Sequence, residues 1–107
     1  MYLFFENNII GTIEPDESDP PMGSGYFEFA ENADENLRSF LVFTHREFEL
    51  SESSPAYQAF EKELDEKFGA WYYSTQWKIG ESVEQARQVS YPMLSKEGLL
   101  MWLEEHD

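Results

Sequence analysis

The sequence predicts an α+β fold of two layers, a small antiparallel sheet with helices packed on one face. Three observations point there. The chain opens with two short aromatic and β-branched runs split by asparagines. Its middle and end carry capped, amphipathic stretches. Aromatics make up 17% of 107 residues, so core material is ample. The expectation is one acidic α+β domain over residues 1–107.

Residues 2–6 (Tyr-Leu-Phe-Phe-Glu) and 9–14 (Ile-Ile-Gly-Thr-Ile-Glu) read as a β-hairpin turning at Asn7-Asn8. Gly11 inside the second strand points to a bulge or a close backbone approach. Pro15 to Gly25 contains three prolines and two glycines and reads as a loop. Tyr26 to Ala30 alternates as a third strand, with Phe27 and Phe29 on one face.

Asn32 as N-cap and Glu35 at N3 open a helix over 33–48, carried by Leu37, Phe40, Leu41, Thr44 and Phe48. Residues 40–44 also have strand composition. A second helix has Ser54 as cap, Pro55 at the first position and Gly69 as stop. Its apolar stripe is Tyr57, Phe60, Leu64 and Phe68, and Glu63 with Lys67 makes an i,i+4 pair.

Residues 71–79 read as a strand with Trp71, Tyr73, Thr75, Trp77 and Ile79 on one face. Ser82 to Gln85 has capping-box form and opens a short helix to Val89. Val89 to Pro92 reads as a loop or as an edge strand ended by Pro92. Ser95 caps a last helix over 96–105, with Leu99, Trp102 and Leu103 inward and Leu94 stapled to Leu99.

Charge narrows the function. Lys and Arg total 7 against 22 Asp and Glu, a net −15. Direct nucleic-acid binding needs cations that neutralise phosphates, and an anionic membrane repels such a chain. No cysteine is present, which removes thiol chemistry, disulfides and most zinc-finger patterns. The first residues show neither a basic n-region nor a long apolar run, so neither a secretory signal nor a membrane span is expected there. A cytoplasmic location is the expectation.

Catalytic signals are sparse. Only His45 and His106 could act as a histidine base, and no Gly-x-Ser-x-Gly elbow occurs. His45, Glu47 and Glu49 could share a cation on a strand but not on a helix, where i and i+2 point apart. Asp16, Glu17 and Asp19 lack the spacing of a calcium loop and meet Pro20-Pro21 at once. Gly23-Ser24-Gly25 precedes a strand, not a helix, so turn chemistry explains it better than a phosphate cradle. No enzyme activity, cofactor or metal is expected.

Residues 1–37 hold nine acids and no Lys or Arg, which is −9 of the −15. The reading that follows is an acidic interaction module that binds and inhibits a basic protein surface. The partner would be a nuclease or another nucleic-acid-binding protein, met by an immunity protein or a nucleic-acid mimic. In size and charge the chain is similar to small bacterial immunity proteins and phage inhibitors, and no motif carries that likeness. The expected contact residues are Asp16, Glu17, Asp19, Glu28, Glu31, Asp34 and Glu35, with Tyr72 as an aromatic anchor. The 15–25 loop and the 31–35 turn are expected to form one exposed region. The alternatives are a domain whose acidity serves solubility alone and a weak cation- or small-molecule-binding protein.

Overall fold

A computed structural model describes residues 1–16, 22–51 and 53–104. The elements run β1 (Tyr2–Phe5), β2 (Asn8–Pro15), β3 (Met22–Phe29), α1 (Glu35–Phe43), a 3₁₀ segment (Thr44–Phe48), α2 (Pro55–Tyr72), β4 (Trp77–Gly80), β5 (Arg87–Leu94) and β6 (Leu99–Glu104). The six strands close a barrel in the order β1-β2-β3-β6-β5-β4, antiparallel at each seam. This corrects the expected two-layer α+β sheet: the sheet curls on itself instead of offering one face to helices. Pairing of β1 with β4, Leu3 opposite Ile79 and Phe5 opposite Trp77, closes it.

The hairpin expected over 2–14 is present as β1 and β2, turned one residue earlier. Glu6 and Asn7 take φ of 51° and 67°, the two positive values of a two-residue hairpin turn. The register slips between Leu3 and Phe4, opposite Gly11 and Ile9, so Ile10 is the extra residue and still turns into the core.

β3 starts at Met22, inside the stretch expected to be a loop. Gly23 lies opposite Trp102, and a Cβ there would overlap the indole. The glycines therefore serve barrel packing, leaving the interior to Trp102 and Leu100. Residues 96–105 form no helix. Ser95 N–H donates to the Leu99 carbonyl at 2.9 Å, Gly98 N–H to the Ser95 carbonyl at 3.1 Å, and Gly98 has φ +89°. That is a three-residue hairpin loop with a left-handed glycine. The Ser95 hydroxyl accepts from Leu99 N–H at 3.1 Å, a bond that imitates a helix cap. Leu99-Leu100-Met101-Trp102-Leu103 is apolar at every position, so helical and strand periods both fit it. In β6, Leu100 and Trp102 are buried, while Leu99, Met101 and Leu103 are half-buried on the outside.

Other boundaries move for stated reasons. The cap of α1 is Asp34, whose carboxylate accepts from Asn36 N–H at 2.9 Å and Leu37 N–H at 3.2 Å. α1 ends at Phe43, where the 3₁₀ segment begins. α2 is capped by Ser54 and begins at Pro55 as expected but runs past Gly69 to Tyr72. Trp71 and Tyr72 pack on Phe40, and that contact outweighs the glycine. The strand read at 71–79 shrinks to β4. Ser82 to Ala86 makes only one turn, Gln85 N–H to Ser82 O at 3.2 Å, before β5. Pro92 sits within β5 at an irregularity between Ser90 and Met93, where a missing N–H is tolerated.

The helical segment leaves the end of β3 and returns at the start of β4, both at one mouth of the barrel. Its apolar faces cover that mouth: Leu37, Phe40, Leu41, Phe60 and Leu64 join Leu3, Trp77, Ile79, Leu100 and Trp102 in one core. The Phe40 and Trp77 rings lie 6.0 Å apart, and Trp77 Nε1–H donates to the Trp71 carbonyl at 2.7 Å. Thr44 Oγ1 accepts from Leu94 N–H at 2.8 Å, fastening the cap to β5. Among the described residues no helix is long and apolar enough to cross a membrane.

Two substitutions test this packing. Phe60→Ala should cost about 3–5 kcal/mol in denaturant unfolding. Gly23→Ala should cost about 1–3 kcal/mol and shift Trp102 emission, because the new methyl displaces the indole. A neutral Gly23→Ala would show that the indole does not rest on β3.

Candidate interaction surface

In β2 the buried Gly11 and Ile13 face the interior, so Thr12 and Glu14 face out. In β3 the outward positions include Tyr26 and Glu28. Register sets Thr12 opposite Glu28 and Glu14 opposite Tyr26. Glu14 and Glu28 are thus diagonal neighbours, with Cα atoms about 7–8 Å apart. Tyr26, between them, is 56% exposed. Alongside, Tyr26 faces Leu99 and Met22 faces Leu103 on β6, and these leucines with Met101 give the wall an apolar strip. An exposed aromatic, an apolar strip and a carboxylate border make up one continuous wall.

The expected contact residues are distributed along this wall and beyond it. Glu28 is exposed on β3. Asp16 is exposed at the far end of β2, its N–H donating to Ser24 O at 3.0 Å. Glu31, Asp34 and Glu35 are exposed at the other end of β3, by the helical cap. Eight strand residues, about 26 Å at 3.3 Å each, separate those ends. The described acids form a stripe along β2 and β3 instead of one cluster. Glu17 and Asp19 lie outside the described residues.

Charge pairing is uneven over the surface. Ion pairs among the described residues involve Glu49, Glu63, Glu66, Glu81 and Glu104. Glu14, Glu28, Glu31, Asp34 and Glu35 have no ion-pair partner among the described residues. The nearest cation to the 31–35 turn in sequence, Arg38, donates to the Ala30 carbonyl at 3.2 Å and lies over the Phe29 ring. Glu14, Glu28, Glu31 and Glu35 therefore carry negative charge that no direct ion pair among the described residues offsets.

Tyr72 is elsewhere. It ends α2, half-buried, against Tyr73 at 5.0 Å and Tyr91 of β5 at 5.2 Å. In the strand order β5 stands across the barrel from β2. Tyr72 and the acids of β2 thus occupy opposite walls. The aromatic on the acidic wall is Tyr26, which the sequence reading passed over. Its signal was available: Phe27 and Phe29 inward place Tyr26 and Glu28 outward.

His45 and Glu49 stay paired, while Glu47 turns away to Tyr57. His45 Nε2 lies 3.7 Å from Glu49, Tyr57 O–H donates to Glu47 at 2.8 Å, and Lys96 Nζ is 2.7 Å from Glu49. The Lys96 contact holds the Glu49 carboxyl below its ordinary range. No group of three or more His, Cys, Asp or Glu among the described residues is placed to hold a metal ion. A groove of about 970 Å³ runs from the β1–β2 turn to the start of α1, with Asn7, Asn32, Asp34 and Trp71 among its lining. Asp34 is committed there to capping α1. No known protein family, characterised protein or solved structure shows significant similarity to the chain.

Two phenols are held protonated. Burial pushes Tyr72 up to about 12, helped by the carboxylate of Glu47. The hydrogen bond from Tyr73 O–H to Asp65 at 2.6 Å raises Tyr73 to about 12. A raised phenol pKa stabilises the fold fully below the free value near 10 and loses that contribution as pH climbs through about 12. Alkaline titration followed by phenolate absorbance should show a late fraction, near pH 12, that Tyr72→Phe and Tyr73→Phe each diminish. A late fraction untouched by both changes would contradict this assignment.

Proposed function

We propose that the chain is an acidic interaction protein that binds and blocks a basic surface on another protein, acting in the cytoplasm without catalysis of its own. The observation that carries this reading is Tyr26, exposed between Glu14 and Glu28, neither of which has an ion-pair partner among the described residues. A nuclease or another nucleic-acid-binding protein is the partner class, because a site built for phosphates displays Lys and Arg. The protein would then serve as an immunity protein or a nucleic-acid mimic.

The mechanism divides between rate and lifetime. Exposed carboxylates spread along about 26 Å of strand attract a basic cleft over distances beyond contact. Tyr26 and the apolar strip beside it on β6 then exclude water at the centre, where aromatic anchors hold most of the binding energy. A closed sheet offers no free edge strand, so recognition uses side chains and not backbone pairing.

Reversing Glu14, Glu28, Glu31 and Glu35 to Lys should lower the association rate for a basic nucleic-acid-binding partner protein about 10-fold at low salt. Raising salt should shrink the difference as the Debye length falls from about 10 Å at 0.1 M to about 3 Å at 1 M. Tyr26→Ala should act on dissociation, costing about 2 kcal/mol. Equal association rates for both proteins at both salt concentrations would leave acidity as a solubility device and end this proposal.

A further inference from the structure

The wall across the barrel carries a second recognition feature. The structure assigns to Tyr72, Tyr73 and Tyr91 a receptor for a guanidinium group, presented by an arginine side chain of a basic partner protein. It does not rest on the β2–β3 wall and would stand if that surface bound nothing.

Three observations carry it. The first is the backbone of Tyr91. Its φ is +55°, a left-handed conformation that suits Gly or Asn and is unfavourable for an aromatic residue. Strand register explains why some residue must bulge there, since Ser90 pairs with Leu103 and Met93 with Met101. It does not explain why that residue is tyrosine. Sparsely populated conformations held in place by their surroundings concentrate at functional sites.

The second is the arrangement of rings. Tyr91 lies 5.2 Å from Tyr72 and 6.3 Å from Tyr73, and Tyr73 is nearly perpendicular to both, at 79° to Tyr72 and 83° to Tyr91. Two of the three stay open to solvent: Tyr73 is 56% exposed and Tyr91 39%. An exposed, non-coplanar set of rings offers π faces in more than one direction. Guanidinium is planar, delocalised and weakly hydrated, so it stacks on such faces more readily than a hydrated ammonium.

The third is the charge around the rings. Asp65 accepts the Tyr73 hydroxyl at 2.6 Å, and the negative fields of Glu47 and Glu61 reach Tyr72. Tyr72 and Tyr73, held protonated, add no charge of their own, so these carboxylates set the sign of the site. An aromatic patch under a negative field complements a cation and repels an acidic or phosphorylated partner.

N-acetyl-arginine amide is the probe, with N-acetyl-norleucine amide as the uncharged control, and ring resonances of the folded full chain are the readout. Saturable shifts confined to Tyr72, Tyr73 and Tyr91 are expected with the arginine probe, at a dissociation constant on the order of millimolar. Tyr91→Phe should keep the affinity. Tyr91→Asn, which accepts the left-handed backbone, should lower it at least about 5-fold while circular dichroism stays unchanged. Glu61→Gln should weaken binding, and reversal of Glu14 and Glu28 should leave it as it was. Affinity undiminished by Tyr91→Asn, equal shifts from the norleucine control, or tighter binding of tetramethylammonium than of the arginine probe would each overturn the assignment.

Discussion

Antiparallel pairing of Tyr2–Phe5 with Trp77–Gly80 joins the two ends of the sheet, and the other features of the protein answer to that closure. A closed sheet needs an interior filled by its own side chains. Leu3, Ile13, Ile79, Leu100 and Trp102 supply that filling, and Gly23 makes room for the Trp102 indole. Closure also leaves one mouth to be covered. The helical segment between β3 and β4 does so, with Phe40 against Trp77 and the Trp77 indole bonded to the end of α2. The same pairing removes the free strand edges that would otherwise promote association of copies of the chain.

A barrel wall held this way gives outward side chains fixed positions. Thr12, Glu14, Tyr26 and Glu28 owe their placement to the register of β2 on β3. The basic residues that form ion pairs do so away from β2 and β3, on α2, the 3₁₀ segment, the start of β5 and the turn between β5 and β6. Negative charge is therefore concentrated by arrangement as well as by composition. The Tyr72, Tyr73 and Tyr91 cluster is the counterpart on the facing wall, created by the end of α2 meeting the irregularity in β5. The two walls differ in chemistry, one an acidic stripe with a single tyrosine and the other an aromatic patch with acids around it.

Local signals were legible where neighbours in sequence decide the structure. The hairpin of β1 and β2 follows from aromatic and β-branched runs around asparagine. The start of α2 follows from Ser54 and Pro55, with the Ser54 hydroxyl accepting from Tyr57 N–H at 3.1 Å. Signals with two local meanings misled. Ser95 accepts a bond from the residue four ahead in a hairpin loop as it would in a helix cap. Gly69 reads as a stop, yet Trp71 and Tyr72 gain enough from Phe40 to carry the helix through it. Of the acidic surface, exposure at Asp16, Glu28, Glu31, Asp34 and Glu35 was readable from composition and turn residues. Their spread along a strand was not, because the 22–25 segment reads as a loop until Trp102 is placed against Gly23.

The sequence by itself determined the sign and density of charge, the aromatic supply for a core and those elements whose caps and turns are built from adjacent residues. Those properties are sums or short-range bonds, and no distant contact alters them. Tertiary structure alone decided that the apolar run after Gly98 is a strand, that the sheet closes, and that Tyr26 rather than Tyr72 shares a wall with the acids of β2. An all-apolar pentapeptide satisfies helix and strand periods equally. Only the partner across the ladder, here a β3 glycine with room for an indole, selects between them.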